Sequence, residues 1–230
     1  MKRVIFAALA TLLAGGSANA VTVNLFEYGI NVDGDYTTLP GVNLAGFDTV
    51  TGLGTISITV GGVGAHSVLG FFDHEIDEAS NTFFNEYGGT SGSPAAGQSW
   101  EIDEPGYVFG DIYSNFAAGA LDNSNGVPSS APDDVAMAMG WAFNLMAGQT
   151  GQVSFFLADA LPTAFTPSFY LVQTDPDSQA SIYFWSTFAI CEGDQCGQPV
   201  PEPGSLVLLG TGLLGLAVAR RRDRSPRSTN

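Results

Sequence analysis

Val135-Ala136-Met137-Ala138-Met139-Gly140-Trp141-Ala142-Phe143-Asn144-Leu145 places a large apolar side chain at every odd position and a small or polar one at every even position. Successive side chains of an extended strand point to opposite faces. The run therefore reads as one strand with a buried face and a second face that is tightly covered or exposed. On a helix the same large residues would spread around the whole circumference. Working outward, the same period predicts strands over Val21–Tyr28, Thr55–Val60, Ser67–Phe72, Gln98–Ile102, Val153–Leu157, Phe169–Gln173 and Ser181–Ile190. Clusters of Gly, Pro, Asn and Asp part them, and the longer polar stretches Gly88–Gly97 and Gly119–Asp134 read as surface loops or a sub-domain joint. Asp77–Asn85 has room for one short turn of helix. No long helical pattern and no repeat of fixed period appears between the two ends of the chain. The expected fold class is all-β: an antiparallel β-sandwich of jelly-roll type over residues 21–198.

Composition agrees with a packed core. Of 230 residues 45% are hydrophobic and only 13% charged. The charges are unevenly placed. All 7 basic residues lie at the ends, as Lys2, Arg3, Arg220, Arg221, Arg222, Arg224 and Arg227. Only Asp223 of the 23 acidic residues lies beyond Ala219, so 22 fall between Val21 and Ala219, where there is no Lys or Arg. Nucleic-acid binding needs cations to neutralise phosphates, and this body has none. Phosphate, nucleotide and acidic-polysaccharide sites built on cations are disfavoured for the same reason. Phosphate-loop and dinucleotide fingerprints are missing too.

The ends read as addresses. Lys2 and Arg3, the apolar Val4–Leu13 and the small-residue Ala18-Asn19-Ala20 form a secretory signal peptide over residues 1–20, cleaved between Ala20 and Val21. The apolar run is too short for a membrane span, which takes about 20 residues. At the other end, Val200-Pro201-Glu202-Pro203-Gly204 makes a stiff extended segment. The apolar run Ser205–Ala219 follows, predicting a short transmembrane helix, and Arg220, Arg221 and Arg222 then stop transfer.

This order of motif, short helix and arginine cluster over residues 199–230 resembles the PEP-CTERM sorting signal, with a tail past Arg222 longer than in many members. The resemblance implies a Gram-negative host and recognition by an exosortase, which cleaves near the motif and passes the protein outward. It further implies transient anchoring in the inner membrane, a destination at the cell surface or outside, and association with exopolysaccharide or biofilm matrix. Phe71–Glu78, Thr82–Gly88, Ser99–Gly106 and Asp133–Trp141 also resemble segments of exported PEP-CTERM proteins without an established activity.

Four clusters are candidates for chemistry. Cys191 and Cys196 close a short loop, and in an exported protein they are expected to form a local disulfide. Asp73-His74-Glu75-Ile76-Asp77-Glu78 is the densest titratable run; it reads foremost as the solvated end of a strand, with carboxylates that would raise the His74 pKa or hold a divalent cation. Asn31-Val32-Asp33-Gly34-Asp35 sets oxygen ligands at alternate positions around a turn glycine, as calcium loops do, yet it lacks the full EF-hand spacing. The calcium candidates are thus Asp33, Asp35, Asp73 and Asp77, each also explained by turn geometry or solvation. Glu101 and Asp103 would share one strand face, with Trp100 and Ile102 on the other, which is an ordinary amphipathic strand beside its reading as a sugar site.

With two histidines and no nucleophile elbow, no cofactor and no catalysis are expected. The leading expectation is a non-catalytic surface or matrix protein. A carbohydrate-binding or glycan-active protein is the alternative, favoured by exposed tryptophans and opposed by buried ones. A calcium-dependent adhesin is the third.

Overall fold

The computed structural model describes residues 21–192 except 40, 80 and 107. The expected signal peptide, Cys196, the Val200–Gly204 motif, the Ser205–Ala219 run and the arginines all lie outside the described residues.

Ten strands and one α-helix follow in the order β1 (Val23–Val32), β2 (Val42–Phe47), β3 (Gly54–Gly61), β4 (Gly64–Ile76), β5 (Tyr87–Gly92), β6 (Gln98–Asp103), α1 (Ile112–Ala118), β7 (Ala136–Leu145), β8 (Gln149–Ala158), β9 (Phe169–Thr174) and β10 (Ser181–Glu192). They build two antiparallel sheets, of order β1-β4-β7-β6 and β2-β3-β8-β10-β9-β5. The hairpins β2–β3 and β9–β10 each stay within one sheet, as do the consecutive strands β6 and β7 across α1, so the strand order departs from the expected jelly roll. No helix among the described residues is long and apolar enough to cross a membrane.

The alternation in β7 places Met137, Met139, Trp141, Phe143 and Leu145 in the core between the sheets, with Phe155, Leu171 and Phe184 of the facing sheet. The opposite face of β7 is covered at one end and open at the other. Ala136 and Ala138 pack with Leu69 and Phe71 under Ile112 and Phe116 of α1, whereas Ala142 and Asn144 face solvent.

The helix is fixed to this sheet by local chemistry. Gly29 leaves room for the Phe116 ring, since a Cβ there would sit 2.7 Å from it. Asn31 donates from Nδ2 to the carbonyls of Phe116 (2.8 Å) and Ala117 (3.3 Å), holding the C-terminal turn.

Three expectations are corrected. The stretch from Gly88 is not wholly a loop: β5 runs to Gly92 and hydrogen-bonds along β9. A strand at Val42–Phe47 and the helix α1 went unforeseen. Finally, β4 does not end at Phe72 but continues through Ile76, paired with β1 on one side and, as far as Asp73, with β7 on the other. The expected turn in Asp77–Asn85 is a 3-10 turn at Phe83–Asn85, which Thr82 caps through its hydroxyl.

Candidate functional site

The extension of β4 creates the site. Strand alternation sends Phe72, His74 and Ile76 toward the inter-sheet core, and Phe71, Asp73 and Glu75 to the outer face. Asp73 lies opposite Ala136 of β7, and Asp134 precedes that strand in the same phase. One carboxylate oxygen each from Asp73, Glu75 and Asp134 falls within 4.8 Å of the others.

The sequence run Asp73–Glu75 is therefore not a solvated strand end, since Asp73 is 1% exposed and Glu75 8%. Asp73 Oδ1, Glu75 Oε2 and Asp134 Oδ1 are buried without a hydrogen-bond partner. Burial, reinforced by Asp134, Glu75 and other nearby acids, pushes Asp73 up to about 8. Burial first, then the charges of Asp134 and Glu78, takes Glu75 to about 7, and burial takes Asp134 to about 6.

The triad forms part of the wall of a pocket of about 620 Å³. Phe26, Phe83, Phe84, Pro105, Val108 and Phe109 supply its apolar surface, and Glu78, Glu104 and Asp133 add three further carboxylates. Such a cavity attracts cations and apolar groups and repels anions.

Other buried acids are differently placed. Glu86 accepts from Ile76 N (3.1 Å) through Oε1 and from Gln173 Nε2 through Oε2. Gln173 also donates to the His74 carbonyl at 2.6 Å, so this pair ties the end of β4 to β9 across the sheets. Glu101 accepts from Asn115 Nδ2 (2.9 Å) and Asp122 N (3.1 Å), stapling α1 and the following loop to β6. The expected face sharing in β6 is present, with Ile102 in the core and Trp100 against it, but Glu101 is buried beneath the helix. Asp103 Oδ2 accepts from Asp111 N at 2.8 Å.

His74 departs from expectation. It points into the core, away from its carboxylate neighbours, and Nε2 lies 3.2 Å from the Gly52 carbonyl. Burial lowers its pKa to about 4 instead of acids raising it.

The Asn31–Asp35 segment is a self-satisfied turn. Asn31 Oδ1 accepts from Gly34 N (2.8 Å), and Asp33 and Gly34 both take positive φ. Asp33 accepts from Ser67 N and pairs with His66 Nδ1, both at 2.8 Å. Hydrogen bonds from Thr38 and Thr37 hold Asp35 far below the usual carboxylate range. Asp77 turns out of β4 at φ 56 and is not among the clustered acids. Of the four calcium candidates, only Asp73 joins a cluster, and its companions Glu75 and Asp134 were not singled out. The signal that could have found them is phase: residues 73 and 75 fall on the covered face of β4, and residue 134 leads into β7 in the phase of its covered face.

The tryptophans do not form an open platform. Trp141 and Trp185 are buried, and Trp100 packs edge-on against Phe169. Cys191 lies in β10 opposite Thr150.

Comparison with known proteins adds the C-terminal address. Residues 199–222 match the family model of the PEP-CTERM protein-sorting motif. No curated protein and no solved structure matches the chain. The motif implies exosortase-mediated sorting, with export and transient membrane anchoring.

Proposed function

We propose that this chain is a non-catalytic surface or matrix protein, delivered by exosortase and held among exopolysaccharide outside the cell. The observation that carries the reading is the sorting motif at residues 199–222. The charged, apolar and small-residue order of residues 1–20 supports export, and the absence of Lys and Arg from the body suits neutral glycan better than a polyanion.

The geometry of the acids supports a non-catalytic role. A glycosidase carboxyl must touch the leaving oxygen or the sugar carbon. Asp73 is only 1% exposed, and both oxygens of Glu101 are taken by Asn115 and Asp122. A weaker reading, carbohydrate binding, draws on one observation: Phe84 and Phe109 stand exposed in the pocket wall, and ring faces stack on sugars. The buried Trp141 and Trp185 oppose it.

Two measurements test the proposal. Intact mass of the released protein is expected to show loss of Ser205–Ala219 and of the arginines behind it; a mature species ending at Asn230 would overturn the sorting half. In affinity electrophoresis the released protein is expected to be retarded by the host's own purified exopolysaccharide. Unretarded migration at every polysaccharide concentration would overturn the matrix half.

A further inference from the structure

We propose that Asp73, Glu75 and Asp134 bind one hard divalent cation, calcium in preference to magnesium, beneath the apolar pocket.

Other buried acids of the same fold provide the contrast. Glu86 and Glu101 are also buried in a body without Lys or Arg, and each has donors on both oxygens. The triad has no such supply. Asp73 Oδ1 and Glu75 Oε2 belong to residues 1% and 8% exposed and meet no donor, Asp134 Oδ1 is likewise orphaned, and the three carboxylates meet in one cluster. A buried carboxylate without a partner is costly, and folded proteins normally satisfy it. A cation is a partner that three such clustered carboxylates can share.

Spacing agrees. Two oxygens bound to one calcium at roughly 2.3–2.6 Å can stand at most about 5 Å apart, and all three oxygens here lie within 4.8 Å of one another. The donor set selects the metal class. Three carboxylates without a thiolate or imidazole suit a hard ion, and His74 points into the opposite layer. Calcium takes irregular shells of 6–8 oxygens, whereas magnesium demands a near-octahedral shell at about 2.0–2.1 Å. The pocket beside the triad gives water room to complete such a shell.

The test uses the full chain purified in detergent, with calcium, magnesium or sodium chloride at equal ionic strength. Calcium a hundredfold above its dissociation constant is expected to raise the melting temperature by about 5–10 °C. Chelation should reverse the rise, and calorimetric titration should give one site. The double variant Asp73→Asn/Glu75→Gln removes like charges, so its metal-free form should melt above the metal-free wild type while the calcium increment and the binding heat vanish. Asp134→Asn, changing a less buried member, should lose the same increment if the double variant misfolds. Asp177→Asn, an acid outside the cluster, should keep it. A calcium increment no larger than that of sodium, or one that survives in Asp134→Asn, overturns the proposal. None of these readouts depends on exopolysaccharide.

Discussion

With divalent cations chelated, the folded body is expected to melt higher at pH 5 than at any more alkaline pH and to lose at least about 10 °C by pH 8. Burial raises Glu86 to about 8, partly offset by the hydrogen bonds from Gln173 and Ile76 and reinforced by Glu75 and Asp134. Burial likewise raises Glu101 to about 7 against hydrogen bonds from Asn115 and Asp122, with the charges of Asp122 and Asp111 adding to it. Asp73 at about 8 and Glu75 at about 7 move the same way. An acid whose folded pKa is raised contributes stability fully present below its unfolded value, near 4, and lost as pH climbs through the folded value. Each group that keeps its proton only in the folded state costs about 1.4 kcal/mol per pH unit across that window. His66, raised mainly by its hydrogen bond with Asp33, acts in the same direction. His74 opposes it. Its folded pKa is depressed to about 4, so its contribution is present above its unfolded value of 6.5 and fades as pH falls toward 4. That single group softens the loss below pH 6.5 without reversing it, because Asp73, Glu75, Glu86 and Glu101 together outweigh it. Thermal melts in chelator from pH 4 to 9 would decide the matter, and a curve flat or rising between 5 and 8 would refute the burial of these acids. Asp73→Asn, which removes one titrating group, should flatten the alkaline limb.

How much of this was legible in sequence follows from where each element finds its partners. The β7 and β10 patterns carry their own alternation, because one face of each meets the core over most of its length. By contrast, β5 reads Tyr-Gly-Gly-Thr-Ser-Gly and has almost no apolar signal. It is a strand because β9 offers it a free edge, and because Gly88 lets Ile102 approach where a Cβ would sit 2.3 Å from Cγ2. The seven-residue α1 is too short for helical periodicity to show, and Asn31, some eighty residues upstream, holds its end. The acidic triad hid for a related reason. The run Asp73–Glu75 looks solvated because charged residues usually are. Its cover comes from residues 26, 104–106, 108–109 and 133–134, and no local pattern announces that those segments meet over β4. Alternation did announce that Phe71, Asp73 and Glu75 share a face; what it lacked was the roof.

Phe72→Ala is expected to cost about 3–5 kcal/mol, the usual range for emptying a large aromatic from a well-packed core. Phe72 is fully buried and spans both layers: its ring centroid lies 5.1 Å from that of Phe184 in β10 and 5.9 Å from that of Phe47 in β2. Tyr28 stacks on it at 6.4 Å within its own sheet. Gly70 and the Phe155 ring leave little freedom for collapse, since a Cβ on Gly70 would already stand 3.0 Å from both rings. The cavity would therefore persist, and a cost of this size lowers the melting temperature by roughly 10 °C or more. Phe84→Ala is the informative partner. That ring is 60% exposed, rests on Phe83 at 3.9 Å and belongs to the pocket wall. Its removal is expected to change stability by less than about 1 kcal/mol. Chemical denaturation of the two variants under one condition separates the aromatics that make the sandwich from those that shape its pocket. Equal losses in the two would mean that the pocket wall is part of the core, and that nothing could bind there without unfolding the sheet beneath it.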